Sequence, residues 1–383
     1  MNKYTTKTFV LFILIFSILF LAGCTSESKK IPDEVFKIIT EVKTKYHTDD
    51  RTSIFNVKAR VDGDDLIITG EILVPEAKSE LESRLRKETN YQLSDSLTLL
   101  PGAEIGEKKY GIIRISVAQV RKLPNINHEI ITQGLMGTKV KILKKAGYWY
   151  FVQLEDQYLG WLTKSSIYSG DSNFLDYWGK KSKLIVISNY GQIWKKPSNK
   201  CRQPVCDVVN GNTFLNLGLK DGWYHVELPD NRRGFIKSNL VMDLTRFQNQ
   251  ATASETSLIN TAQAFLGIPY FWGGKSTKGF DCSGFTQTVY KLNGIKLPRD
   301  ANMQVKCGEA VEISNSLDNL KPGDLLFFGK NKDRITHVAM YIGKSRFIHA
   351  EGLVQINSLN PVDELYSEYR RKTLRAVRRF LKN

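Results

Sequence analysis

Apolar and polar positions change their spacing several times along this chain. In DEVFKIITEVKTKY the apolar residues fall at 35, 36, 38, 39 and 42, the spacing of one helical face. IFNVKARVDGDDLIITGEILV alternates on both sides of Asp62-Gly63-Asp64, which predicts two strands joined by a turn. PEAKSELESRLRKE opens on Pro75, suited to a first helical turn because the N–H it lacks would have no partner there. Helix, strand, strand and helix therefore outline a small N-terminal α/β domain over residues 25–95, with no chemistry of its own. Ahead of it, FVLFILIFSILFLAG is almost wholly apolar, follows Lys3 and Lys7, and gives way at once to polar TSESKK. That run is short for a spanning helix and reads as a secretory signal.

The middle of the chain repeats itself. WYFVQLEDQYLGW from Trp149 and WYHVELPDNRRGF from Trp223 align at one offset, matching Val152 with Val226, Asp156 with Asp230 and Gly160 with Gly234. Short alternating runs and glycine turns precede each copy, which predicts two small β-barrels, at 100–170 and 180–246. QNQATASETS then reads as a polar linker into a last domain at 252–383.

The 383 residues are 42% hydrophobic and 25% charged, the composition of globular domains. A formal charge of +16 is spread as single and paired Lys and Arg, with no long basic run and no nucleic-acid-binding motif. Nucleic acid is therefore not an expected partner. Of five cysteines, Cys24 ends Leu21-Ala22-Gly23-Cys24, which resembles a bacterial lipobox. The likeness implies a signal peptide over 1–24, acylation of Cys24 and membrane anchoring in a bacterial cell envelope, as a lipoprotein, periplasmic or membrane-anchored. Cys201 and Cys206 share the loop CRQPVC, where a disulfide is possible in an oxidising compartment. No metal or other cofactor is expected, and the protein is read as a monomer.

Cys282, in GFDCSGFT, precedes apolar residues at 285, 289 and 292 and a stop at Gly294, so it stands at a helix N-terminus. Backbone N–H groups and the helix dipole there favour a thiolate and suit a developing oxyanion, so a lowered thiol pKa is expected. A nucleophilic cysteine needs a base. Among five histidines, His337 in THVAMYIG and His349 in RFIHAEG lie on predicted neighbouring strands. A two-residue Lys344-Ser345 loop would pair His349 with Met340, so a bulge, a longer turn or a diagonal contact is needed to join the two rings.

PYFWGGKSTKGFDCSGFTQTVY, LPRDANMQ, LKPGDLLFF, THVAMYIG and FIHAEG follow one another in that order. Together they resemble the NlpC family of papain-like cysteine peptidases, over residues 255–383. The resemblance implies an α+β fold, a papain-like catalytic domain preceded here by two SH3-like β-barrels. It implies Cys282 as nucleophile, His337 as general base and acid, His349 as the residue orienting it, and Asp281, Ser283 and Tyr270 lining the substrate site. In a subgroup with two such barrels, the first walls the cleft and reads the free amino terminus of a peptidoglycan stem peptide, with Tyr158 and Glu129 at the matching positions. The implied reaction is hydrolysis of the γ-D-glutamyl–diamino acid bond. A carboxylate such as Asp281 is chemically suited to the cationic amino end. A non-catalytic wall-binding lipoprotein and a thioester acyltransferase stand as the alternatives.

Overall fold

A computed structural model describes residues 31–314 and 316–381; Cys24 and the apolar leader lie outside them. The first unit packs α1 (Asp33–Tyr46) and α2 (Pro75–Glu88) on a sheet of β1 (Phe55–Asp62), β2 (Asp65–Ile72) and β3 (Gln92–Leu99). Val35, Ile38 and Val42 of α1 and Ala77, Leu81 and Leu85 of α2 bury against Leu66, Ile68 and Ile72, each contributing roughly 1.5–3 kcal/mol for a large apolar side chain. β1 and β2 form the expected hairpin, and β3 adds in parallel to β2 after the α2 crossover. The sequence pattern gave no sign of β3, because QLSDSLTL is mostly polar and buries only Leu97.

The first repeat contains β4 (Tyr110–Ile113), β5 (Val117–Arg121), β6 (Ile130–Leu135), β7 (Lys139–Ala146), β8 (Trp149–Leu154), β9 (Leu159–Thr163) and β10 (Ile167–Gly170). α3 (Ser172–Lys180) leads to the second: β11 (Lys183–Val186), β12 (Tyr190–Trp194), β13 (Pro204–Val209), β14 (Thr213–Lys220), β15 (Trp223–Glu227), β16 (Arg233–Lys237) and β17 (Val241–Asp243). Their orders are β10-β4-β7-β8-β9-β5-β6 and β17-β11-β14-β15-β16-β12-β13, the same strand for strand. The paired glycines of the repeat have one packing reason. A Cβ on Gly160 would lie 2.4 Å from Val120 Cγ1, and on Gly234 2.5 Å from Ile193 Cγ2, in equivalent strands. Cys206 falls within β13, and both it and Cys201 are free thiols.

The stretch read as a linker starts inside a helix, α4 (Leu244–Gln250), capped by Asp243. α5 (Glu255–Gln263) follows, started by a Ser254–Ser257 capping box. Then come β18 (Lys275–Ser276), β19 (Gly279–Phe280), α6 (Cys282–Leu292), α7 (Ala301–Gln304), β20 (Glu309–Val311), β21 (Leu325–Gly329), β22 (Ile335–Gly343), β23 (Arg346–Glu351), β24 (Leu353–Ser358), α8 (Glu368–Thr373) and β25 (Leu374–Arg379). The sheet runs β20-β25-β21-β22-β23-β24. Phe285 and Val289 of α6 share one buried cluster with Leu325, Phe327, Val338, Met340 and Ile348, which seats the cysteine helix across the sheet. The architecture is α+β: a papain-like domain behind two β-sheet units of one strand order and a small α/β unit. Among the described residues no helix is long and apolar enough to cross a membrane.

Candidate active site

Cys282 opens α6, and Asp281 is its N-cap, accepting the Gly284 N–H at 2.7 Å. Gly284 is required by close approach, since a Cβ there would lie 2.0 Å from the Gly274 carbonyl oxygen. Asp281 Oδ2 also accepts the Gly273 N–H at 3.0 Å. Arg299 closes the carboxylate from the other side, with Nη1 on Oδ1 at 3.0 Å and Nη2 on Oδ2 at 2.5 Å. The same guanidinium donates to Ser283 Oγ at 3.0 Å and, through Nε, to Thr132 Oγ1 of the first barrel at 2.9 Å. Asp281 is thus no open partner for a substrate amine, as the sequence reading allowed: a carboxylate buried beside the nucleophile needs a full counter-ion, and Arg299 is it. Ser283 is likewise buried and engaged. Arg299 lies inside LPRDANMQ but escaped notice, because only the fold brings it against Asp281.

The two histidines meet. β22 and β23 are joined through Lys344 and Ser345, both at positive φ (52° and 60°), the backbone of a tight hairpin turn. The ladder slips between Tyr341 and Gly343, so Met340 pairs with Ile348 and not with His349. A one-residue shift moves every side chain of a strand to the other face. It therefore carries His349 to the face of His337, and the rings join with His337 Nε2 and His349 Nδ1 2.8 Å apart. His349 Nε2 lies 2.8 Å from Asn357 Oδ1 on β24. Asn357 Nδ2 donates to the Leu365 carbonyl at 3.2 Å, which fixes the amide with its oxygen toward the ring. The chain of partners then sets both tautomers: His349 carries its proton on Nε2 and accepts from His337 Nε2–H, leaving His337 Nδ1 as the bare base. No motif pointed to Asn357; its only signal is the alternation of β24, which puts it over the same face.

The Val338 backbone amide, next in chain to His337, lies near the Cys282 sulfur and favours its thiolate. Burial pushes that thiol up to about 11, with the Asp281 charge adding to it, against the Val338 amide, Arg299 and the Ser283 amide. The lowered pKa expected of a helix N-terminus is not found, because Cys282 is only 9% exposed and Asp281 sits beside it. Burial, with the charges of Arg370 and His349, holds His337 well below its ordinary 6.5. The resting pair is a neutral thiol and a neutral imidazole.

Tyr270 is half-buried, its N–H on the Gly352 carbonyl at 2.8 Å. Burial, then the charges of Cys282 and Asp281, drive its hydroxyl above the ordinary tyrosine range, so it stays a donor. The first barrel reaches this region directly. Glu129 Oε1 accepts the Trp272 indole N–H at 2.9 Å, and Gln133 Oε1 accepts from Lys275 N at 3.0 Å and Ser276 Oγ at 2.8 Å. Tyr158 is buried, and its hydroxyl donates to Asp300 Oδ2 at 2.9 Å. Asp300 also pairs with Arg51 of the N-terminal unit at 2.6 Å. Tyr158 therefore orders a charged cluster at the barrel's edge, a contact the resemblance alone did not indicate.

Fold and site together define a papain-like cysteine peptidase. Residues 267–379 match the NlpC/P60 family, and residues 120–167 match the bacterial dipeptidyl-peptidase Sh3 domain. A gamma-D-glutamyl-L-lysine dipeptidyl-peptidase of Bacillus cereus is 36% identical over 62% of this chain and 73% of its own length. Its namesake in Bacillus subtilis is 32% identical over 65% of this chain and 81% of its own. A crystal structure of a Bacillus cereus NlpC/P60 family protein superposes with a TM-score of 0.62 at 28% identity, covering 71% of this chain and 100% of that one. The chain belongs to the NlpC/P60 family of cysteine peptidases.

Proposed function

We propose that this protein is a bacterial envelope endopeptidase that hydrolyses the γ-D-glutamyl–diamino acid bond of peptidoglycan stem peptides bearing a free N-terminal L-Ala. The observation that carries the reading is the chain of partners from His337 through His349 to Asn357, on the sheet against which the Cys282 helix packs and beside a wall built by the first barrel. The relatives named for γ-D-glutamyl-L-lysine cleavage support the bond.

His337 Nδ1 takes the thiol proton as sulfur attacks the γ-carbonyl carbon. Because both groups rest neutral, ionisation is coupled to attack. The oxyanion that forms meets the amides at the start of α6 and the Tyr270 hydroxyl. Collapse breaks the C–N bond, and His337 gives its proton to the leaving amine. Water, deprotonated by His337, then attacks the thioester and restores the thiol. His349 holds the imidazole in register and shares the charge of the imidazolium.

Recognition of the amino end falls to Glu129. Its Oε1 is held by Trp272, while among the described residues Oε2 has only Lys122 at 4.0 Å, and the side chain is 42% exposed. The carboxylates of Asp281 and Asp300 already carry guanidinium partners. A cationic amino terminus seated on Glu129 would favour free stem peptides over N-acylated ones. We further read residues 1–24 as a lipoprotein signal, with acyl chains on Cys24 adding about 0.8 kcal/mol of membrane affinity per buried methylene.

The test is release of the diamino acid from L-Ala-γ-D-Glu-L-Lys, from its diaminopimelate counterpart and from their N-acetyl forms. Wild type is expected to release it from the free peptides, and Cys282→Ala from none. Glu129→Gln should lower kcat/KM on free peptides about tenfold and leave the slow N-acetyl substrates unchanged. Equal turnover of free and acetylated peptides would overturn the amine-reading assignment.

A further inference from the structure

A cavity of about 340 Å³, apart from the reacting groups, lies where the two barrels and the peptidase domain meet. Ordinary small-molecule pockets start at roughly 300 Å³. Trp178 of α3 and Phe247 of α4 form apolar walls, Lys139 and Lys183 enter from the two barrels, and Gln287 and Lys291 enter from the cysteine helix.

Its electrostatics are unbalanced. Four lysines line it, at 139, 183, 275 and 291, against one carboxylate, Glu155. Lys275 is matched by Asp156 at 2.9 Å. Lys183 Nζ donates only to the carbonyls of Gly179 at 3.1 Å and Lys181 at 2.8 Å. Glu155 Oε1 accepts the backbone N–H of Lys139, not an ammonium. Among the described residues, Lys139, Lys183 and Lys291 have no carboxylate within ion-pair distance. Burial and the nearby charge of Lys139 hold the Lys183 pKa below its ordinary value, so these like charges are held together at a cost. A second observation is independent of charge. Gln287 is 5% exposed and gives Nε2 to Asp156 and the Leu297 carbonyl, yet its Oε1 is buried with no partner. A buried acceptor without a donor is held at a cost, which a ligand donor would relieve.

We propose that this cavity binds a small organic anion, with two or more carboxylate or phosphate charges set on Lys139, Lys183 and Lys291, a hydroxyl or N–H donated to Gln287 Oε1, and its carbon skeleton against Trp178 and Phe247. Occupancy joins three structural units and touches the helix that carries the nucleophile, so the ligand clamps the assembly.

Titration calorimetry and thermal unfolding of residues 25–383 test this, in the Cys282→Ala background and at matched ionic strength. The probes are citrate, which carries three carboxylates and a hydroxyl, tricarballylate, which lacks the hydroxyl, and inorganic phosphate. Saturable citrate binding is expected, with a rise in Tm, about tenfold weaker for tricarballylate and at least tenfold weaker in Lys139→Met/Lys183→Met. Lys291→Met, on another unit, should weaken it independently, and unliganded Tm values report whether the variants fold. Phosphate binding to the same sites without tricarballylate binding would assign a phosphorylated ligand over a polycarboxylate. Absence of saturable binding by citrate and phosphate alike, or binding undiminished in the double lysine variant, would overturn the proposal.

Discussion

Asn357 gives the imidazole pair its direction. With its oxygen locked toward His349 Nε2, proton positions are fixed as far as His337 Nδ1. Asn357→Leu keeps the volume but removes the acceptor, freeing His349 to flip its tautomer. Turnover should fall about 10–100-fold in kcat, with KM little changed. Asn357→Asp keeps an acceptor and should retain most activity. The acid limb of kcat/KM reports the free enzyme's base, and burial and Arg370 place it below pH 6.5 in the wild type. A carboxylate at 357 stabilises the imidazolium, so in Asn357→Asp that limb moves to higher pH. A limb unmoved in both variants would show that Asn357 only packs. Cys282, His337 and His349 could be picked out of the sequence because each lies in an ordered motif. Arg299 and Asn357 could not, because their roles arise from partners far along the chain or across a strand pair.

Among the elements, the hairpin of β22 and β23 and the start of α6 decide the geometry. Alternation in THVAMYIG and RFIHAEG predicted two strands, and both formed. The regular register for a two-residue turn, however, would have put the histidines on opposite faces. The slip after Tyr341 corrects this, and strand alternation cannot reveal a bulge because an inserted residue leaves the pattern on either side intact. The polar strand β3 was hidden for the opposite reason: it shows too little apolar pattern. At α6, the contact between Gly284 and the Gly274 carbonyl sets how closely the helix start approaches the turn before it. Gly284→Ala forces these backbones apart, at a cost of about 1–3 kcal/mol. Urea unfolding should show that loss, and turnover should fall with it because Cys282 moves. Unchanged stability would mean that the helix start is not held by this contact.

For the molecule as a whole, the barrel and the peptidase domain are joined by a partly buried ion pair, Asp156 with Lys275 at 2.9 Å, beside Gln287 of the cysteine helix. Burial opposes ionisation of Asp156, but the Lys275 charge and bond, with the Tyr158 N–H, outweigh it and hold the carboxyl at about 2 against an ordinary 3.8. Since the folded pKa lies below the unfolded one, its stabilisation is present above 3.8 and is lost as pH falls toward 2. Burial, with Lys291 and Arg299, pushes Lys275 down, so Asp156 is what keeps it charged. Asp156→Asn should therefore cost about 3 kcal/mol near neutral pH and flatten the acid dependence of Tm between pH 4 and 2. A Tm equal to the wild type's would show that the interface does not depend on the pair. The repeat had suggested two barrels, but not which one faces the cysteine; that is settled by the contacts of Glu129 with Trp272, of Gln133 with Lys275 and Ser276, and of Asp156 with Lys275, whereas Asp230, the counterpart of Asp156, pairs with Arg114 and Arg232.

The most direct measurement is the mass of the protein quenched in acid during turnover of L-Ala-γ-D-Glu-L-Lys, with the adduct mapped by proteolysis. The account predicts an L-Ala-γ-D-Glu thioester on Cys282 in the wild type and neither adduct nor lysine release in Cys282→Ala. Lysine release that continues at wild-type rate in Cys282→Ala would contradict it.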